Sequence, residues 1–377
     1  MAEPFIWRKS AIWLGMETTP GTAAAPQVWI PKTSGVLNPN TEETQDTSWY
    51  GVRDEVYDSF ITKNSSSLNL EWIVRDEFIW YLLQLWLGDY TTLNVFTWTP
   101  SGWTPAKGDT VTWWTLVKIL TIGTTTYYCF DWTVSAWTIT NGTWTMTATA
   151  VSDIYFHYFK VLQSQKLPTA TLVDDDPVSA SKAPYSMINS LEFSCEVADY
   201  LKYTAEFLGM QMVWVEAWTY TPAYSDENPF TASMAGVRFA NNEAWLNTAD
   251  EVCVQNFRVA INNNLADVQC FGDTDISAQF ATTFTVEWDF QTLYASTTLR
   301  DITLASTKQA IRFYAKNGSG ETLHGLYIDI MKAWLNSWTK TDDNDSLVNQ
   351  TMWFTWQYDT ETWTSIEVIL INDKSSY

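Results

Sequence analysis

The sequence predicts a mainly β protein built from two copies of one unit, with short flanking helices. Apolar and polar residues alternate along most of the 377 residues, which is typical of half-buried strands. One pattern (small polar, apolar, polar, apolar, Glu, Trp) occurs at residues 67–72 and again at 283–288. The longest apolar run, residues 78–87, is interrupted by Gln84 and is too short to span a bilayer.

The predicted elements around the two copies of this pattern follow the same order. An earlier strand is expected at residues 33–45 in the first copy and at 252–264 in the second. A short helix is expected after each pattern, at residues 75–87 and 292–302. The order and spacing of these elements agree between the two copies, in addition to the six-residue pattern. We therefore interpret the chain as an internal duplication.

Later strands complete each copy. Residues 191–197 and 201–207 alternate on either side of a turn and predict a hairpin that closes the first unit. Residues 365–370 predict the final strand of the second. The predicted division of the chain is an N-terminal arm, a first unit with a Thr-rich β insertion, and a second unit that begins with a Pro-containing linker: 1–32, 33–221 (insertion at about 97–150) and 222–377.

Tryptophan stands where a turn-rich β protein usually has glycine. The chain has 23 Trp and 15 Gly, and nine Trp precede Thr in polar stretches: Trp98, Trp103, Trp114, Trp132, Trp137, Trp144, Trp218, Trp338 and Trp363. Glycine supplies backbone freedom in turns at no steric cost, and an indole does not. We hypothesise that the producing host reads UGA as glycine and that most of these Trp are natively glycine. Trp29 lies in an apolar run, where we expect a genuine indole.

Charge and cysteine content narrow the function classes. The formal net charge is −22 and the sequence pI is about 4.3, so the general surface repels phosphate and is unsuited to gripping nucleic acid. DNA could still slide past such a surface without sticking. The four Cys are far apart, which favours free thiols over a metal or redox site. No signal peptide, cofactor or metal is expected.

Acidic and polar residues recur on one face of the predicted strands in both copies. If these strands alternate, one set of side chains projects away from the core. Any one of them could simply lie on the wet side of a sandwich. As a set they could line a water-filled channel, and the candidate lumen-facing residues are Asn69, Glu71, Glu192, Glu196, Glu206, Thr285, Glu287 and Asp289.

An enzyme is not expected. The two histidines, His157 and His324, lie beside strand-like residues, where a lone His is more often structural than catalytic. The sequence has no nucleophile elbow, phosphate loop or zinc-binding helix. The alternative function is a carbohydrate-binding or adhesin-like β module that uses real Trp side chains as stacking platforms.

The chain resembles the major tail (tail tube) proteins of long-tailed bacteriophages. The resemblance covers most of the chain except the 97–150 tract, and it rests on the order of several stretches, with Trp13 taken as glycine: 11–23, 28–31, 33–39, 72–77, 189–194, 201–204 and 260–265. It implies β-sandwich or half-barrel units whose sheets join those of neighbouring molecules around a lumen.

The resemblance also implies a structural virion protein whose rings stack into a hollow tail tube. Six units usually form a ring, so a duplicated chain favours a trimer, with a hexamer second. The implied partners are adjacent rings, the tape-measure protein and the tail terminator and tip proteins, and DNA passes through the lumen without specific binding. The implied location is the phage tail, with assembly in the host cytoplasm.

Overall fold

The computed structural model describes residues 10–32, 34–48, 56, 58–97, 106–111, 114–131, 138–141, 144–147, 149–151, 153–215, 220–225, 227–341 and 347–377. These residues form antiparallel β structure with few short helices, which confirms the predicted fold class. Among them, no helix combines the length and apolarity needed to cross a membrane.

The described strands of the first half of the chain flank one α-helix. Their bounds are β1 (Ala11–Met16), β2 (Val28–Ile30), β3 (Leu37–Asp46), β4 (Asp58–Ile73), α1 (Phe78–Leu87), β5 (Gly88–Thr97), β6 (Thr110–Val111), β7 (Trp114–Ile122), β8 (Thr125–Phe130), β9 (Thr138–Asn141), β10 (Trp144–Thr147), β11 (Thr149–Ala150), β12 (Tyr155–Val161), β13 (Ala170–Asp175), β14 (Ala180–Glu196), β15 (Lys202–Gly209) and β16 (Val213–Val215).

The second half begins with a short 3-10 helix, Ala232–Met234, and has two more at Glu243–Asn247 and Gly320–Thr322. Its other elements are β17 (Ala235–Ala240), β18 (Glu251–Val252), β19 (Val254–Asn262), β20 (Leu265–Val268), β21 (Ala278–Ala281), β22 (Thr285–Leu293), α2 (Thr298–Leu304), β23 (Lys308–Asn317), β24 (His324–Thr341), β25 (Asn349–Trp356) and β26 (Ile366–Asn372).

Eight strands from both halves form one continuous sheet, called the long sheet below. Its order is β3-β4-β15-β14-β19-β22-β25-β24, and every neighbouring pair is antiparallel. Two flanking sheets contain the other ends of the long, bent strands β14 and β24. The first has the order β2-β1-β13-β14-β16, and the second includes β18-β17-β23-β24-β26-β12-β5.

The same succession of pairings occurs twice along the chain. In the first half β1 pairs with β2 and β13, β14 pairs with β13, β15 and β16, and β4 pairs with β3 and β15. In the second half β17, β24 and β22 make the corresponding pairs. Even an irregularity recurs, because the register shifts between Ile188 and Ser190 in β14 and between Leu335 and Ser337 in β24.

The segment from β5 to β12 occurs only in the first half, since α2 leads directly into β23. This segment contains more residues than the 97–150 insertion predicted from composition. Its β12 pairs with β26, so this segment extends the second flanking sheet. Within the predicted N-terminal arm, β1 pairs with β13 and β2 with β1, so these strands lie in the first flanking sheet.

Both helices begin later than expected. Helix α1 begins at Phe78 because Arg75 and Asp76 bond instead to the linker between the halves, through Pro229 and Asn228. Helix α2 begins at Thr298 because β22 continues to Leu293. Nearly all of α1 is buried in the main core, which also contains large side chains from both halves, as expected for a helix that is apolar all round.

Candidate lumen surface and assembly edges

The eight predicted lumen-facing side chains lie on one face of the long sheet. They alternate with buried residues along β4, β14, β15 and β22, and none of the eight is buried. Strand register brings them together: Asn69 is opposite Glu206, while Glu192 and Glu287 lie on either side of Ala260. The structure therefore places the whole set on a single solvent-accessible surface.

The two halves meet at a seam in the middle of this surface. Strands β14 and β19 pair antiparallel from Ser190 opposite Asn262 to Glu196 opposite Asn256. Backbone hydrogen bonds, side-chain packing and an ion pair between Arg258 and Glu192 join the halves there. Core residues such as Leu191 and Ile261 pair on its buried face.

Charged side chains on the exposed face of β4, β14, β15, β19 and β22 are mostly acidic. Six of the eight predicted residues are carboxylates. Basic side chains on this face are themselves paired: Arg258 crosses the seam to Glu192 at 2.8 Å and reaches Asp289 at 3.5 Å, and Lys202 contacts Asp199 at 2.6 Å. Partial burial raises the pKa of Asp289, and the charge on Arg258 acts in the opposite direction.

The long sheet ends in two open strand edges. Among the described residues, β3 pairs only with β4, and the end of β24 beyond Trp334 pairs only with β25. Their side chains near these edges are mostly polar and exposed, including Asn38, Asn40 and Thr339. Open edges present unpaired backbone donors and acceptors and are templates for pairing with another chain.

A hairpin extends the long sheet at one end. Strand β4 pairs with β15 only from Ser66 to Ile73, and its earlier residues pair with β3. We call this projection, residues 37–46 with 58–65, the arm. Its side chains are largely exposed, and Phe60 and Ile61 are both about half-exposed.

A groove lies at the other end of the long sheet. Because Ile73 pairs with Lys202 and Ser66 with Gly209, the β14–β15 turn is at the end opposite the arm. Beside this turn is a groove of about 730 Å³ whose lining includes Val197, Tyr200 and Phe257. The chain therefore presents different surfaces at its two ends.

Among the described residues, both histidines contact side chains of other elements. His157 is buried and contacts Tyr90 Oη at 3.0 Å and Asn372 Oδ1 at 3.1 Å, and burial lowers its pKa to about 4. His324 Nδ1 lies 2.6 Å from Asp76 Oδ2. Both side chains connect elements that are distant in sequence, as expected for structural histidines.

Two features of this surface were missed by sequence reasoning. Arg258 was not singled out, although its place in an alternating strand opposite acidic residues is a usable signal. The arm was missed because the length of an unpaired hairpin depends on where its neighbouring strands end, which a single strand pattern does not reveal.

Comparison with known protein families identifies a match over most of the chain. A family model described as phage tail tube protein matches residues 7–350, which is most of the chain. No curated protein matches the sequence significantly.

Proposed function

The chain belongs to the phage tail tube protein family, and on that premise we propose that three copies close into a ring and that rings stack into an acid-lined conduit for DNA. It is a structural protein of the phage tail. The observation that carries the proposal is the continuous long sheet, whose charged side chains on the exposed face of β4, β14, β15, β19 and β22 are mostly acidic and whose two edges are open. A hexamer is the second candidate.

Duplication supports three copies. The recurring order of pairings and the matching register shifts 147 residues apart, at Ile188 and Leu335, favour two copies of one unit in each chain. We propose residues 33–221 and 222–377 as these units, with β1 and β2 from the preceding residues completing the first flanking sheet. Six units then require three chains.

The seam inside the chain suggests how chains join. In strand order, β24 lies beside β25 as β14 lies beside β15, and β3 lies beside β4 as β19 lies beside β22. The edge of β24 in one copy would then pair with the edge of β3 in the next, which repeats the strand order of the internal seam and removes both open edges.

An acidic wall suits passage of a polyanion. Lysine and arginine bind DNA by releasing counterions from phosphates, so a basic lumen would hold the genome. Carboxylates avoid this attraction. Internal pairing of Arg258 with Glu192 and Asp289 leaves little positive charge available to the DNA.

Stacking would use the two unlike ends of the chain. The arm projects at one end and the groove beside Tyr200 lies at the other, so contact between rings is head-to-tail. Such a contact does not close on itself and therefore builds a filament. The tape-measure, terminator and tip proteins are the further partners, and assembly would take place in the host cytoplasm before the tail joins the virion.

The carbohydrate-binding alternative is not favoured. Exposed indoles are present at Trp214, Trp245 and Trp363 on three separate elements of the chain, and at Trp334 and Trp353 on the neighbouring strands β24 and β25. Family membership favours a tube subunit over a glycan-binding module.

Negative-stain electron microscopy of purified protein tests the proposal. We expect rings with three-fold symmetry and, at higher concentration, hollow tubes. A protein that stays monomeric at every concentration, or a native tail whose main component is another protein, would refute it.

A further inference from the structure

The position occupied by the arm in the first half contains a different hairpin in the second half. Strands β3 and β4 form the arm, and the corresponding strands β19 and β22 are connected by the short hairpin β20–β21. This hairpin does not project alongside the arm as a second arm. It lies against the arm's base.

Side-chain contacts fix the hairpin to the arm. Lys63 Nζ lies 2.9 Å from Asp267 Oδ2, while its other contact, with Glu42 Oε1 at 2.9 Å, is within the arm. Gln269 Nε2 donates to the carbonyl of Thr62 at 2.6 Å. Hydrogen bonding to Asp267 is the main factor that raises the pKa of Lys63, despite partial desolvation.

Backbone contacts run beside these side chains. Asn64 N–H donates to the Thr274 carbonyl at 2.7 Å, and Asn64 forms a parallel bridge with Asp275. Asp267 is itself held in place, because its Oδ1 accepts a hydrogen bond from the buried Gln279 at 3.0 Å. The buried side chain of Gln279 therefore supports the contact between Asp267 and Lys63.

We propose that the β20–β21 hairpin is a bracket that sets the direction in which the arm leaves the ring. The inference rests on the proposed stacking function and specifies how it is regulated. In a ring of three chains, arms project from three of the six unit positions, and the other three positions supply brackets. The contact between stacked rings therefore has three-fold symmetry, although the six units give the lumen nearly six-fold symmetry.

An arm without a bracket would be poorly oriented. A two-stranded hairpin is marginally stable in water, so an unsupported arm would sample many directions. If the arm became ordered only on contact with the next ring, the entropy lost in ordering it would weaken the binding between rings. An arm held at its base meets the next ring already oriented.

The test leaves the arm sequence unchanged and alters the bracket. Asp267→Ala with Gln269→Ala removes the contacts to Lys63 and Thr62, and Asp267→Asn provides a milder variant. Asp89→Ala is the matched control, because Asp89 is a partly exposed acid paired with a lysine at 3.3 Å on another strand. Hydrogen exchange of the Asn64 amide and the rate of tube growth from rings are measured for each.

We expect the double variant to form rings normally, to exchange the Asn64 amide about tenfold faster, which corresponds to ~1.4 kcal/mol, and to grow tubes about tenfold more slowly. The Asp267→Asn variant should change in the same direction by less, and the control should match the wild type. Unchanged exchange, or faster exchange with unchanged tube growth, would overturn the proposal. If the wild type forms no rings, the tube function fails, and the exchange result alone then decides whether the bracket exists.

Discussion

Trp363 has a backbone conformation that disfavours a bulky side chain. Its φ is 57°, in the left-handed region, and its side chain is exposed in the turn that links Asp359 to Thr364. Left-handed geometry brings Cβ close to the following carbonyl oxygen, and glycine avoids this contact. This position agrees with the hypothesis that glycine is the native residue, which remains a prediction.

Trp363→Gly should raise the free energy of unfolding by about 1 kcal/mol, because the steric cost of the left-handed conformation disappears. Trp245 is also exposed but lies in a 3-10 helix, so Trp245→Gly should not stabilise the protein. Urea unfolding of both variants provides the measurement. A less stable Trp363→Gly protein would contradict the hypothesis at this position.

The other Trp residues include several that are buried and several that lie outside the described residues. Among the described residues, the indole N–H groups of Trp13, Trp72, Trp80, Trp86 and Trp288 are buried without a hydrogen-bond partner. Buried indoles usually find an acceptor. Trp98, Trp103, Trp132, Trp137 and Trp218, which the hypothesis also covers, lie outside the described residues. Mass spectrometry of native peptides resolves each position.

Glu227 makes stability depend on pH in the mildly acidic range. Burial raises its pKa from 4.5 to about 6, although it accepts a hydrogen bond from the Phe78 amide. The folded state thus holds this proton more tightly than the unfolded chain, and stability is lost as pH rises from 4.5 to 6. Glu227→Gln keeps an acceptor oxygen and cannot ionise.

The Glu227→Gln variant should therefore gain up to about 2 kcal/mol relative to the wild type between pH 4.5 and pH 7. Denaturant unfolding at the two pH values measures this difference. Glu361→Gln, on an exposed turn, should show no such gain. An equal difference between Glu227→Gln and wild type at both pH values would show that Glu227 does not titrate as described.

At the scale of elements, the alternation of apolar and polar residues predicted which face of a strand is buried. It did not predict which strands pair with one another. The pattern at residues 67–72 predicted which side chains of β4 face the core, because side chains in a strand alternate strictly. It could not predict that β12 would pair with β26, more than 200 residues away, since alternation carries no information about the neighbouring strand. The same limit hid the seam between β14 and β19.

A buried ionic cluster holds the β5–β12 segment on the second half. Lys118 of β7 is almost inaccessible and contacts Asp329 at 2.7 Å, Glu367 at 2.6 Å and Glu243 at 2.5 Å. Arg312 also pairs with Asp329, at 2.6 Å. Burial alone would raise the pKa of Asp329, but Arg312 and Lys118 outweigh it and hold that pKa well below 3.8.

Lys118→Met should lower the free energy of unfolding by about 3–5 kcal/mol, because it removes the buried counterion that Asp329, Glu367 and Glu243 share. Lys160→Met, which removes an exposed pair with Asp89, should cost less than about 1 kcal/mol. Chemical denaturation of both variants tests this. Equal losses in the two variants would mean that the cluster does not stabilise the docked segment.

The same cluster predicts sensitivity to acid. The pKa of Glu367 is also lowered, because Lys118 and Lys107 outweigh its burial. Stability from a carboxylate with a lowered pKa is present above the unfolded value and is lost as pH falls towards the folded value. The wild type should therefore lose stability steadily below about pH 4.5, and Lys118→Met should lose less over the same range.

At the scale of the whole molecule, the net charge of −22 includes a group of carboxylates on one face of the long sheet, along β4, β14, β15 and β22. Replacing Glu71 and Glu287 with Lys would remove two negative charges from that face and add two positive charges, a net change of +4 per chain. Rings should still form, because both side chains are solvent-exposed and neither β4 nor β22 is an edge strand of the long sheet. DNA should be held by counterion release.

Virions rebuilt with this double variant should release DNA at least about tenfold more slowly at low salt and recover as salt rises, since counterion release weakens with salt. Asp131→Lys with Glu361→Lys, two exposed acids outside the long sheet, makes the same charge change and should leave the release rate unaltered. Equal slowing by both double variants would assign the effect to total charge and not to the lumen.

The most direct test is a cryo-electron microscopy reconstruction of the assembled tube at side-chain resolution. We predict three chains per ring, with β24 of each chain paired to β3 of the next and with Asn69, Glu71, Glu192 and Glu287 facing the central channel. A tube in which this sheet face packs against protein, or in which the channel wall is mainly Lys and Arg, would contradict the account.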